Sequence, residues 1–269
     1  MTMRGASAEA QGALVDQLEQ GLGSADAAKV GDDVLGLAGV VRSEAGLRRV
    51  ATDVSTPSEA KAGLVRNLFE GKVEPLALDL AVEAVRRRWT ASRDLADALE
   101  HLGVVALVHS AGSGDARRLA DELFVVGQLV NDNVELRSAL SDPARSVDDK
   151  RGLLRSLLDG KALPATVRLV EQALAGSHRS TGVAIAEYQK VAAAVYGEQV
   201  ARVRVARPLN DGDRERLRQA LSRQYGREVH LNVVVEPGLV GGMRVEIGDD
   251  VIDGSVSARL DEARRKLAG

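Results

Sequence analysis

The chain reads as mainly α-helical, a helical bundle containing a duplicated repeat and followed by a small C-terminal α/β module. Three observations lead there. Apolar residues recur at helical spacing from the N-terminus to about residue 197. The sequence aligns with itself at one fixed offset within that stretch. Beyond it the apolar period falls from helical to two, the period of a half-buried strand. These changes divide the chain into three expected modules: residues 1–112, with the first repeat at 30–108; 113–198, the second repeat; and 199–269, the α/β module.

Ala10, Leu14, Leu18 and Leu22, with Val15 beside them, form one stripe of a helix over Ala6 to Leu22 that Gly21 and Gly23 bring to a stop. Ser24-Ala25-Asp26 has the composition of a cap for the next helix. The duplication follows. An offset of 89 places Ala45–Val85 on Val134–Leu174 without a gap, with thirteen identities, among them Lys61/Lys150, Gly71/Gly160, Pro75/Pro164 and Leu80/Leu169. One unit, roughly Val30 to Val108, therefore recurs as Leu119 to Gly197.

Each copy reads as a helix ending before Glu44 or Asn133 and a short one to Val50 or Leu140. A third runs from about Ser58 or Val147 to Glu70 or Asp159, a fourth follows Pro75 or Pro164, and a long one closes the copy. Gly71 and Gly160 suit a helix stop, where the backbone turns left-handed, and the prolines suit a first helical turn. Gly112-Ser113-Gly114 reads as a flexible joint between the copies.

In the last module, Val203 and Val205 alternate with Arg202 and Arg204 as a strand, and Leu217, Leu221 and Tyr225 share one face of a helix. A second strand carries Val229, Leu231, Val233 and Val235 and is ended by Glu236-Pro237-Gly238. Met243, Val245 and Ile247 mark a third, and Gly248-Asp249-Asp250 turns the chain into a short fourth, Val251-Ile252. Gly254-Ser255 opens a closing helix striped by Val256, Leu260, Ala263 and Leu267, with Arg264, Arg265 and Lys266 in its last turn, where the helix dipole favours cations.

Composition narrows the function. One Trp, three Tyr and two Phe leave the cores to Leu, Val and Ala and provide few stacking platforms for single-stranded nucleic acid. A net charge of −3 with interspersed signs is no footprint for DNA or an anionic membrane. The absence of cysteine removes disulfides, thiolate zinc and a cysteine nucleophile. The N-terminus lacks the apolar core of a signal peptide, and no apolar run approaches the ~20 residues that span a bilayer.

Chemical motifs fail one by one. Gly71-Lys72 and Gly160-Lys161 lack both the upstream glycine of a phosphate loop, Arg66 and Arg155 standing there, and the Ser or Thr after the lysine. Gly112-Ser113-Gly114-Asp115 reads as a linker cap rather than an anion cradle. His101, His109, His178 and His230 have no metal-ligand spacing, and Asp249, Asp250 and Asp253 lack the pattern of a calcium loop. No catalytic residue, cofactor or metal is expected. On the residues alone, the helical copies would suit a general repeat scaffold that binds proteins.

The run from Gly238 to Leu260 carries a resemblance. Gly241-Gly242, an amphipathic strand, a Gly-Asp turn, Ile252-Asp253-Gly254-Ser255-Val256 and the pair Arg259-Leu260 stand in that order near the chain end. This ordered set resembles the C-terminal signature of the delta subunit of bacterial F-type ATP synthases, the family of the oligomycin-sensitivity-conferring protein. In that family a six-helix bundle precedes the C-terminal domain. The duplication is the departure: removing one copy leaves about the length the family usually spans, and actinobacterial members resemble this chain in carrying an extra helical repeat.

The resemblance implies a non-catalytic peripheral-stalk subunit that links the catalytic head to the b subunit and resists rotary torque. Its partners would be the N-terminal helices of alpha subunits and the distal end of b, on the cytoplasmic side of the bacterial plasma membrane. By the same resemblance an alpha-subunit helix lies in a groove between the opening helix and the helix after Pro75, which makes Leu14, Leu18, Val82 and Val85 candidates for contact. Arg259, Arg264 and Arg265 are the candidates for b. Each has a plainer reading, as core for the four apolar residues and as a solvated helix face for the arginines.

Overall fold

The computed structural model describes residues 3–248 and 250–256. Among these are twelve α-helices and four strands. The chain divides into two compact units, Met1–Val191 and Ala192–Gly269. Asp249 and the expected closing helix beyond Val256, with Arg259, Leu260, Arg264 and Arg265, lie outside the described residues.

The first unit opens with α1 (Ala6–Leu22), whose buried stripe is Ser7, Ala10, Leu14 and Leu18. Five helices follow: α2 (Ala27–Ser43), α3 (Ala45–Thr52), α4 (Ser58–Phe69), α5 (Pro75–Arg86) and α6 (Ser92–Ser110). Then come α7 (Ala116–Asp132), α8 (Val134–Ser141), α9 (Val147–Leu158), α10 (Pro164–Gln172) and α11 (Thr181–Val195). Each of α7 to α11 begins 89 residues after its counterpart among α2 to α6. The duplication visible as identities is thus a duplication of elements.

Individual bonds repeat as well. The Asp33 carboxylate accepts from the Glu74 amide at 2.7 Å, and the Glu122 carboxylate accepts from the Leu163 amide at 2.8 Å, the same offset apart. Arg48 donates to the Arg42 carbonyl as Arg137 does to that of Asn131. Gly71 and Gly160 both take left-handed backbone angles, φ 73° and 71°, at helix ends. The caps differ: Asp26 accepts from the amides of Ala28 and Lys29 at the start of α2 while α7 has no side-chain cap, and Asn133 and Ser146 cap α8 and α9 while α3 and α4 have none.

Gly112-Ser113-Gly114, read as a joint between the copies, leads from α6 into α7. Ser113–Asp115 forms one 3-10 turn, and the first copy and the second as far as Val191 fall within a single compact unit. The reason is α6. It packs on α1, on α2, α3 and α5 of the first copy and on α10 of the second, and every residue from Leu102 to Val108 is buried. A helix apolar on all sides belongs at the centre of a bundle. It closes the first copy and precedes α7 as α1 precedes α2, so one helix serves both. Gly31 on α2 and Gly103 on α6 let these backbones meet: a Cβ added at either would lie 3.1 Å from the other's carbonyl oxygen.

His101, also on α6, has its pKa lowered from the ordinary 6.5, chiefly because burial penalises the charged ring, against the opposing pull of Glu100. A depressed folded-state value means stability that is present above pH 6.5 and is lost as pH falls toward the folded value. His101→Leu should therefore flatten the pH dependence of denaturant unfolding in that window. An unchanged slope would remove His101 as its source.

The second unit holds β1 (Glu198–Val205), α12 (Asp211–Tyr225), β2 (Glu228–Val235), β3 (Met243–Ile247) and β4 (Asp250–Asp253). The strand order is β2-β1-β3-β4. β1 pairs parallel with β2, Val203 opposite Val233, and antiparallel with β3, Val203 opposite Val245. The alternation read from the sequence is realised on one face, where Ala201, Val203, Val205, Val229, Val245 and Ile247 form a core with Leu221 of α12. α12 is the crossover that a parallel pair requires.

Candidate functional site

The sequence pointed to two surfaces. At the first, α1 packs against α5, and the end of α1 is pinned there, since a Cβ on Gly21 would lie 2.5 Å from the side chain of Leu76. Leu14 and Leu18 are 0% exposed and Val82 and Val85 3%, so all four belong to the core that joins these helices. The larger apolar residues left half-buried on the same helices are Val15, Leu22, Leu76 and Leu78.

The second, Arg259, Arg264 and Arg265, lies outside the described residues, as does Leu260 of the signature, but the signature residues up to Val256 converge. Gly241 and Gly242 take φ values of 90° and 80°, conformations open to glycine alone without strain. Their backbone runs against the segment after β4: the Val256 amide donates to the Gly241 carbonyl at 3.1 Å, and the Gly254 amide to that of Met243 at 2.9 Å. A Cβ on Gly242 would collide with the Gly254 carbonyl and lie 2.9 Å from Ser255 Cα. The Ser255 amide donates to the Asp253 carboxylate at 3.0 Å, and hydrogen bonds from Ser255 hold that carboxyl below the usual range. The signature is the clasp that closes the module. Gly242→Ala should cost about 2–3 kcal/mol through combined strain and collision; a melting temperature equal to that of the parent would refute the close approach. Val240, Ile252 and Val256 remain exposed around this clasp, and Met243 is half-buried.

The sequence reading missed one surface. Val125 and Leu129 on α7 and Val134 on α8 are 62%, 41% and 62% exposed. At the offset of 89 the first copy has Gly36, Val40 and Ala45 there, so comparing the copies for gains in apolar bulk would have found it.

Chemistry has little to work with. Among the described residues no group of three or more His, Asp or Glu could hold a metal ion. Two surface depressions are lined partly by arginines, and their cations are largely spent on carboxylates: Arg155 on Glu171 in one, Arg86 on Glu59 at 3.0 Å and Arg87 on Glu83 at 2.8 Å in the other. In the second, the Ser55 and Thr56 hydroxyls donate to the Asp53 carboxylate at 2.8 and 3.0 Å and Lys61 to the Asp53 carbonyl at 3.3 Å. No helix among the described residues is long and apolar enough to cross a membrane.

Comparison with known proteins agrees with the clasp and the helical copies. The model of the ATP synthase delta (OSCP) subunit family matches residues 104–267, beginning inside α6 and taking in the second copy and the α/β module. ATP synthase subunit delta of Nocardioides sp. is 61% identical over 269 residues, covering 100% of this chain and 98% of that protein. The same subunit of Kineococcus radiotolerans is 46% identical, covering 91% and 90%, and that of Streptomyces avermitilis 39%, covering 100% of each. A chain of the cryo-EM structure of the Toxoplasma gondii mitochondrial ATP synthase hexamer matches 62% of this chain and 95% of its own length, at 23% identity and a TM-score of 0.37. With full-length relatives at these identities and the glycine clasp in place, the chain belongs to the ATP synthase delta (OSCP) subunit family.

Proposed function

We propose that this peripheral-stalk subunit works as a tether, its helical unit holding N-terminal helices of alpha subunits and its α/β module holding the distal end of b, on the cytoplasmic side of the plasma membrane. The observation that carries this is the division into two compact units of different architecture. A tether needs two separate gripping surfaces and no reaction centre. Rotation of the central shaft drags the catalytic head, and a static link must return that torque.

On the helical unit the alpha helix would lie along the α1/α5 edge. Leu14, Leu18, Val82 and Val85 hold that edge from beneath, and Val15 and Leu78 offer apolar anchors beside it. Arg259, Arg264 and Arg265 remain the proposed contacts for b. Pull-down with the full chain from detergent-solubilised bacterial membranes should recover alpha and b; recovery of neither would overturn the tether.

The duplication supplies an internal control. Leu78 of α5 and Val167 of α10 are equivalent positions and both half-buried. Leu78→Asp should weaken binding of an alpha N-terminal peptide at least tenfold, about 1.4 kcal/mol, and Val167→Asp should leave it unchanged. The reverse pattern would move the groove to the second copy, the part that the family model covers.

A further inference from the structure

Glu100 lies on α6 and is 2% exposed. Its carboxylate accepts three hydrogen bonds from three elements: Arg42 Nη2 of α2 at 2.6 Å, the Ser177 amide between α10 and α11 at 2.9 Å, and the Tyr188 hydroxyl of α11 at 2.6 Å. Gly176 is pressed against the same group, since a Cβ there would overlap the Glu100 carboxylate and lie 2.8 Å from the Tyr188 hydroxyl. His178 covers the tyrosine ring edge-on, with centroids 5.8 Å apart.

The first copy makes a simpler form of this tie. Ser7 of α1, fully buried, donates to Asp94 at 2.7 Å and accepts from the Thr90 amide at 2.8 Å, so the opening helix is bonded to the link between α5 and α6. In the second copy α6 stands in the opening position and Glu100 binds the link between α10 and α11. A serine hydroxyl is neutral and needs no cation. A buried carboxylate needs a cation, and that cation, Arg42, comes from the first copy.

We infer that Glu100 is a lock between the two helical copies, in which the first copy supplies the charge that lets the second close its last helix against α6. The copies then move as one body, this carboxylate adding a buried polar tie to the packing of α6 on α10. Nothing in the lock depends on which partner the unit grips.

Hydrogen exchange on the full chain tests this. Gly176→Ala and Glu100→Ala should each raise exchange of the amides in α10 and the following link at least tenfold, with α4 and strands β1 to β3 unchanged. Tyr188→Phe, a milder change that keeps the fold, should do so to a smaller degree. Arg42→Gln, which strands the carboxylate, should match Glu100→Ala, and the neutral pair Arg42→Gln with Glu100→Gln should recover part of the protection. Equal acceleration in both copies, no acceleration in any variant, or additive effects of the pair would overturn the lock.

Discussion

Replacing Gly103 by valine should be the most damaging conservative change in the helical unit. A Cβ at that position already lies 2.6 Å from Leu35 Cγ and 3.1 Å from the Gly31 carbonyl oxygen, and valine adds two methyl groups. The Leu35 side chain could rotate away, but the Gly31 backbone cannot move without shifting α2. Overpacking of an ordinary core costs about 1–3 kcal/mol, and a backbone obstacle places this site at the upper end or above. For a unit of this size that is a fall of roughly 6–12 °C in melting temperature. Because α6 is shared, both copies should lose protection together. Gly36→Ala is the control: nothing lies within 4 Å of its Cβ, so in a helix interior the change should be neutral or stabilising by up to about 1 kcal/mol. Thermal unfolding followed at 222 nm distinguishes the two, and a Gly103→Val chain as stable as its parent would mean that α2 and α6 do not cross here.

Val245→Asp should remove the second unit while leaving the first. Val245 is 3% exposed, paired with Val203 of β1 and Ile252 of β4, and faces the core under α12. No cation of that core could meet an aspartate there, and an uncompensated buried charge costs about 3–5 kcal/mol. Against the 5–15 kcal/mol that holds an entire small domain, the sheet should be lost or nearly so. The helical unit, with its own core, should keep its main unfolding transition. On the proposed division of labour, pull-down should then lose b and keep alpha. A chain that has lost the sheet and still captures b would place that contact on the helices.

The locations of the helices were legible because their causes are local. Asp26 caps α2, Pro75 and Pro164 open α5 and α10, and Gly71 and Gly160 close α4 and α9 with left-handed angles. The second-unit strands were legible for the same reason: Val203, Val229, Val245 and Ile247 alternate with polar neighbours and all reach one core. The roles of single apolar residues were less so. Leu14, Leu18, Val82 and Val85 have the spacing of either a groove or a core, and only the depth at which α1 sits on α5 shows that they are core. Glu100 gave no signal at all, because a glutamate on a helix is ordinarily solvated and its partners are Arg42, 58 residues before it, and Tyr188, 88 after.

Taken alone, the sequence determined the kind and order of elements, the 89-residue duplication and the glycine-bearing signature that marks the family, all of which can be read from residue types and their spacing along the chain. Tertiary structure alone decided that α6 serves both copies, that β1 lies between β2 and β3, and that a carboxylate ties the copies together. Those outcomes depend on contacts between residues far apart in the chain, and a one-dimensional pattern of apolar spacing does not specify which faces meet.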